Sequence, residues 1–249
     1  MNKKEHKLDV FKKYFLVPLI PTLIIAVMQC GAYYLGSFIN SFYKEVWYVN
    51  IKLPLDDKIP FVVGFSWVYL FGVGFNVAMA SFVINLLIGR KAVHMLVVLE
   101  GSCFLVCFLC FIVIPSPNTL TDNVPPTGSG ASWWLYSTII APDAVNNANN
   151  MPSIHIVFLI AILLVSFSFI KKNVRTICMQ SLSVVLFVTV SLSVLFVKQH
   201  FILDVIVAII LAIIFYIVFR FTKVFENNNL LFERMYLKMH LSNPKNVSR

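Results

Sequence analysis

The decapeptide FVKQHFILDV, Phe196–Val205, joins two apolar runs of membrane-spanning length and places Lys198, His200 and Asp204 between them. A charge held at mid-membrane costs about 2.5–3.5 kcal/mol on insertion scales, so such residues sit at a boundary or have a task. Which of the two holds depends on where the apolar runs lie and which way they cross.

Composition settles the class. Of 249 residues, 59% are hydrophobic and 12% charged, and the mean hydropathy is +0.84. A soluble domain carries about twice that charged fraction. The chain reads as an all-α, polytopic membrane protein. Its formal charge of +9 is spread between the apolar blocks, which points to topology signals and anionic lipid rather than nucleic acid. All five cysteines (Cys30, Cys103, Cys107, Cys110 and Cys178) lie in apolar segments. The series CFLVCFLC stripes one helix face without a His or acidic ligand in it, so packing is expected there, with no disulfide and no metal.

Six blocks are long enough to cross a bilayer, at about 20 residues each: roughly 15–40, 60–88, 92–115, 153–170, 176–198 and 201–221. The first follows five lysines but is too long for the apolar part of a signal peptide and lacks a good cleavage site, so it reads as a retained helix. Lys3, Lys4, Lys7, Lys12 and Lys13 precede it; Arg90 and Lys91 follow the second; Lys171, Lys172 and Arg175 follow the fourth. Arg220, Lys223, Arg234, Lys238, Lys245 and Arg249 follow the sixth, and the loop 116–151 has no basic residue. With six spans, sixteen of the 20 basic residues fall on one side. The positive-inside rule then makes both termini cytoplasmic and the long loop extracytoplasmic. The expected organisation is a basic N-terminus (1–14), a six-helix catalytic unit (15–222) and a basic tail (223–249). The tail reads equally as an interfacial amphipathic helix or as a solvated segment.

In that topology His200 opens the sixth helix at the outer boundary, with Asp204 one turn further in. An i, i+4 pair shares a helix face. The carboxylate can therefore accept from one imidazole nitrogen and leave the other as a directed lone pair, as a nucleophile or base requires. The segment NNANNMPSIHIVF brings His155 into the first turn of the fourth helix at the same face, with Asn149 or Asn150 available to cap it and Pro152 suited to a first turn. Both helices present N-termini outward, where free amides and the dipole favour phosphate, and Ser153 adds a hydroxyl. Taken singly these residues fit an interface; together they fit a site.

The segments PSIH (Pro152–His155) and S-x6-H-x3-D (Ser193, His200, Asp204) resemble two signatures of the type 2 phosphatidic acid phosphatase superfamily, P-S-G-H and S-R-x5-H-x3-D. The resemblance covers most of the chain and includes the order, the spacing and the six-helix count. PLDDKIPFVVGFSWVYLFG (Pro54–Gly72) is similar to a bacterial branch related in motif layout to sphingomyelin synthases. The resemblance implies that His200 attacks phosphorus to form a phosphohistidine, that Asp204 orients it, and that His155 protonates the leaving alkoxide and then activates water or an alcohol. It implies no metal and no cofactor. The implied partner is a lipid phosphate taken from membrane lipid at the outer face of a plasma membrane.

The departures are specific. Ile154 stands for the glycine of the second signature, Val194 for the arginine of the third, and the first signature, K-x6-R-P, is missing. Lys198 is the candidate to replace a phosphate-clamping cation, or else a lysine snorkelling to the interface; Lys58 is a weaker candidate, and Ser153 and Asn149 are candidate phosphate contacts. Fewer cations suit a phosphodiester or a less charged monoester. They leave three readings: hydrolase, transferase of a phospho-headgroup to a lipid alcohol, and inactive lipid binder. Asp143 and Asn147 are possible supports from the outer loop. Glu100 is an intramembrane carboxylate expected to pair with His94 or the backbone or to stay protonated. Trp133, Trp134 and Tyr136 read as interface anchors, on a segment able to cover the site.

Overall fold

A computed structural model describes residues 11–43, 47–125, 127–142, 148–169 and 173–239, the side chains at 13, 75–79 and 123 excepted. Asp143, Asn147, Lys3, Lys4, Lys7, Lys171, Lys172, Lys245 and Arg249 lie outside the described residues.

Each apolar block supplies one long helix. They are α1 (Val17–Asn40), α2 (Phe65–Leu87), α3 (Arg90–Val113), α4 (Ile154–Phe167), α5 (Val174–Phe196) and α6 (Ile202–Phe221), followed by α7 (Val224–Lys238). No strand occurs among the described residues, which hold one isolated bridge between Ser116 and Asn149. Four helical stretches are long and apolar enough to cross a membrane: Tyr14–Asn40, α3, α5 and α6. The apolar stretches Phe65–Gly74 and Ile154–Phe167 are shorter.

The boundaries follow local chemistry. α2 begins five residues later than the apolar run, because Ile59 precedes Pro60 and takes an extended conformation (φ −71°, ψ 123°) that a helix does not continue. Val62 N–H then donates to Phe196 O at 3.0 Å. Gly89, at φ 126°, makes the turn that sends α3 back after α2. Asn173 caps α5 by accepting from Thr176 N–H at 2.9 Å.

α3 is the central helix and touches α1, α2, α4, α6 and α7. α4 is apolar on every side and packs against α2, α3, α5 and α6. At about 21 Å it is short, but it is sheathed by neighbouring helices. α2 and α5 approach closely at Gly72, where an added Cβ would fall 2.2 Å from Val190 Cγ2.

α7 docks at the end of the bundle opposite residue 200, burying Phe225, Phe232 and Tyr236. Tyr236 Oη–H donates to Val17 O at 3.2 Å. His94 of α3 stacks on Phe232 (centroids 4.6 Å apart, 11° between planes), and its Nδ1–H donates to Asn229 Oδ1 at 2.8 Å. His94 therefore pairs with α7 and not with Glu100. Glu100 is fully buried, and neither of its oxygens has a partner among the described residues.

Candidate active site

The site forms where α5 turns into α6. α5 ends by wrapping two amides onto one carbonyl: Gln199 N–H and His200 N–H both donate to Val194 O, at 3.0 and 3.2 Å. That turn requires a left-handed residue, and it is Lys198, at φ 59°. The turn leaves His200 immediately ahead of α6, one turn from Asp204.

His200 Nδ1–H donates to Asp204 Oδ2 at 3.0 Å. The same oxygen accepts from Phe201 N–H at 3.2 Å, so the carboxylate is fixed by the helix end it caps. With Nδ1 engaged as donor, Nε2 is left as the basic nitrogen of His200. The His155 ring lies 5.5 Å from that of His200, centroid to centroid, and nearly perpendicular at 75°. The starts of α4 and α6 are tied by Ser153 N–H donating to Asp204 O at 3.3 Å. The expected trio thus meets in one place.

Tyr69 of α2 adds a fourth member, its Oη 3.0 Å from His155 Nε2. His155 Nδ1 is buried with no partner among the described residues. Tyr69 stands in the PLDDKIPFVVGFSWVYLFG segment, but as one aromatic among many it carries no local signal of this contact.

The expected phosphate contacts separate. Ser153 Oγ is buried without a partner among the described residues, so its hydroxyl remains available. Asn149 is spent on α1: its Nδ2 donates to Tyr33 O at 2.8 Å and Ser37 Oγ at 2.7 Å, and its Oδ1 accepts from Asn40. Gly36 makes room, since a Cβ there would sit 3.3 Å from Asn149 Nδ2. The neighbouring Asn150, which lines the cavity beside the histidines, has a buried Nδ2 with no partner among the described residues.

Lys198 turns away from the histidines. Its ammonium donates to Asp56 O at 2.8 Å and Ile59 O at 2.6 Å, and it does not line the cavity between His155 and His200. Burial pushes its pKa down, against the opposing pull of Asp56 and Asp57. Lys58 is exposed and does not line that cavity either.

Asp56, buried at 1% exposure, was not picked out in the sequence. Its Oδ1 accepts from Ile202 N–H at 2.8 Å, and its Oδ2 from Leu53 N–H at 2.7 Å. With Asp204 on Phe201 N–H and Asp56 on Ile202 N–H, the start of α6 already faces two carboxylates. The expectation of two open helix N-termini is corrected to one. In α4 the first such bond runs from Val157 N–H to Ser153 O at 3.0 Å. This leaves the first-turn amides of Ile154, His155 and Ile156 without an intrahelical acceptor.

Gln199 also lines the cavity, its Nε2 donating to Ile140 O at 2.6 Å. The segment Ala131–Ile140 lies over this turn. Tyr136 is buried there, 4.8 Å from the Phe61 ring; Trp134 is exposed, and Trp133 packs on Phe61 at 6.3 Å. Burial pushes the Tyr136 phenol up to about 12. The cavity between the histidines is about 10 Å³, room for a single water. Phosphate entry therefore requires lining side chains to move.

The sequence model of the PAP2 superfamily matches residues 91–228, more than half of the chain and all of α4, α5 and α6 with His155, His200 and Asp204. This chain belongs to the PAP2 superfamily. PAP2 membership carries phosphatase or phosphotransferase chemistry on phosphoesters. No curated protein and no solved structure matches the chain. Against the superfamily pattern, Ile154 lines the cavity where the signature has glycine, and Val194 is fully buried where it has arginine.

Proposed function

We propose that this PAP2 protein is a lipid phosphatase that cleaves a phosphoester through a phosphohistidine. In this reading α1–α6 span a plasma membrane, both termini are cytoplasmic and the histidines face outward. The observation that carries it is the His200–Asp204 bond with the His155 ring facing it across 5.5 Å. His200 Nε2 attacks phosphorus, and the bond to the lipid oxygen breaks. The leaving oxygen takes the electron pair and a proton from His155. A water then gives its proton to His155 and attacks phosphorus; the N–P bond breaks, phosphate leaves and His200 is restored. Asp204 balances the charge that develops on the His200 ring, and Tyr69 holds that of His155. The α4 amides, Ser153 Oγ and Asn150 Nδ2 are the donors available to the phosphoryl oxygens.

A second reading, transfer of a phospho-headgroup to a lipid alcohol, is favoured by one feature. No lysine or arginine lines the cavity among the described residues, which suits a phosphodiester better than a dianion. The experiment is phosphate release from a panel of lipid phosphates by the purified protein in detergent with EDTA, for wild type and His200→Ala. Metal-independent release abolished by the substitution supports the proposal. Equal release by both proteins overturns the histidine assignment. No release by wild type, with headgroup transfer to a lipid alcohol instead, replaces hydrolysis by the second reading.

A further inference from the structure

At the end of the bundle opposite the histidines lies a second cavity, of about 760 Å³, between α2, α3, α5 and α7. Its volume falls within the range of ligand pockets, and unlike most of them its lining is about as polar as it is apolar. Arg90, Lys91 and Arg175 line it, against one carboxylate, Glu233. Glu233 lies 3.4 Å from Arg90 Nε. Lys91 and Arg175 are exposed, and neither has a partner among the described residues.

Two helix starts frame the same space. α3 opens at Arg90 and α5 at Val174, and Asn173, which caps α5, is itself a lining residue. The positive ends of both helices add to the three cations. Leu86 and Phe169 add apolar surface to the lining, and two of the four lining helices, α3 and α5, continue into apolar spans. An anion carried on an apolar tail matches both parts of this surface.

We propose that this cavity binds the phosphate headgroup of an anionic phospholipid from the leaflet at this end of the bundle, at a site separate from the histidines. Cations near a membrane surface attract anionic lipid by about fivefold in affinity each.

The test uses the full chain, stripped of lipid in detergent, with phosphatidylglycerol, phosphatidylcholine or inorganic phosphate added. Thermal melting and the lipid retained in native mass spectra are recorded for wild type, the double variant K91Q/R175Q, and His200→Ala. The account expects phosphatidylglycerol to raise the melting temperature and phosphatidylcholine not to. K91Q/R175Q loses about thirtyfold in affinity for phosphatidylglycerol, while His200→Ala binds it as wild type does. The double variant's lipid-free melting temperature matches wild type, because both side chains are exposed. Undiminished binding by K91Q/R175Q, or its loss in His200→Ala, overturns the proposal. An equal shift with inorganic phosphate at the same concentration overturns the lipid as ligand in favour of a soluble anion.

Discussion

Lys198 offers a quantitative test of how the catalytic turn is held. Its ammonium makes two charge-assisted bonds, to Asp56 O and Ile59 O, and its backbone sits at φ 59°. Bonds to charged groups contribute about 1.5–3 kcal/mol each, reduced by the cost of desolvating the ammonium. A left-handed non-glycine residue costs about 1–2 kcal/mol. Lys198→Ala removes both bonds and keeps the strain, so a loss of about 2–4 kcal/mol is expected. Lys198→Gly removes the same bonds and relieves the strain, so it should be about 1 kcal/mol more stable than the alanine variant. For a chain of this size that separates the two by about 3 °C in thermal melting. Melting in one detergent, for wild type and both variants, measures the difference. Coincident melting of the two variants would refute the strain, and an alanine variant melting with wild type would refute the tether.

Tyr69→Phe removes the hydroxyl that holds His155, and one such bond sets a five- to tenfold fall in kcat; a change confined to KM contradicts that role. Asn150→Ala should lower activity without lowering stability, because its Nδ2 has no partner among the described residues. Asn149→Ala should cost about 2–3 kcal/mol, because it strips the ties to α1 and leaves buried groups unpaired; melting and initial rates on both variants separate the two asparagines. Tyr136→Phe deletes a buried hydroxyl with no partner among the described residues and should match or exceed wild-type stability at pH 7. Since burial raises the Tyr136 pKa to about 12, its folded form keeps the proton that the unfolded chain loses near 10. Wild type therefore loses stability between pH 10 and 12, and the phenylalanine variant should lose less there, as measured by denaturant melts across that range.

What was legible in the sequence was what periodicity and local spacing carry. Hydropathy located the apolar runs that became α1 to α6. The spacing also picked out the His200–Asp204 pair, but His200 lies ahead of α6 and not on its face, and it reaches Asp204 in the first turn across the extended Phe201. What was not legible depends on contacts distant in sequence. Asp56 reaches Ile202 across 146 positions, and only the folded loop shows that a carboxylate already occupies the start of α6. Lys198 read as a phosphate clamp, or else a snorkelling lysine, because it follows Val194 by four residues and would share its helix face; a left-handed backbone ends the helix there and the side chain binds residues 56 and 59 instead. Asn149 and Asn150 are adjacent, chemically identical and both line the cavity; the fold commits the Asn149 amide to α1 and leaves Asn150 Nδ2 without a partner among the described residues. α7 carried an ambiguous amphipathic pattern, resolved by the stacking of His94 on Phe232 and the bond from Tyr236 to Val17.

The central claim is that His200 is the nucleophile and His155 the proton carrier. Its most direct test is to trap the intermediate. An aryl phosphate leaves without protonation, so His155→Ala should form the phosphoenzyme normally and hydrolyse it slowly, by about 10²–10⁴-fold. Intact-protein mass after an alkaline quench, followed by peptide mapping, should find one phosphoryl group accumulating on His200 in His155→Ala and none in the His155→Ala/His200→Ala double variant. A phosphoryl group on any other residue, or continued turnover of the aryl phosphate by the double variant, would contradict the account.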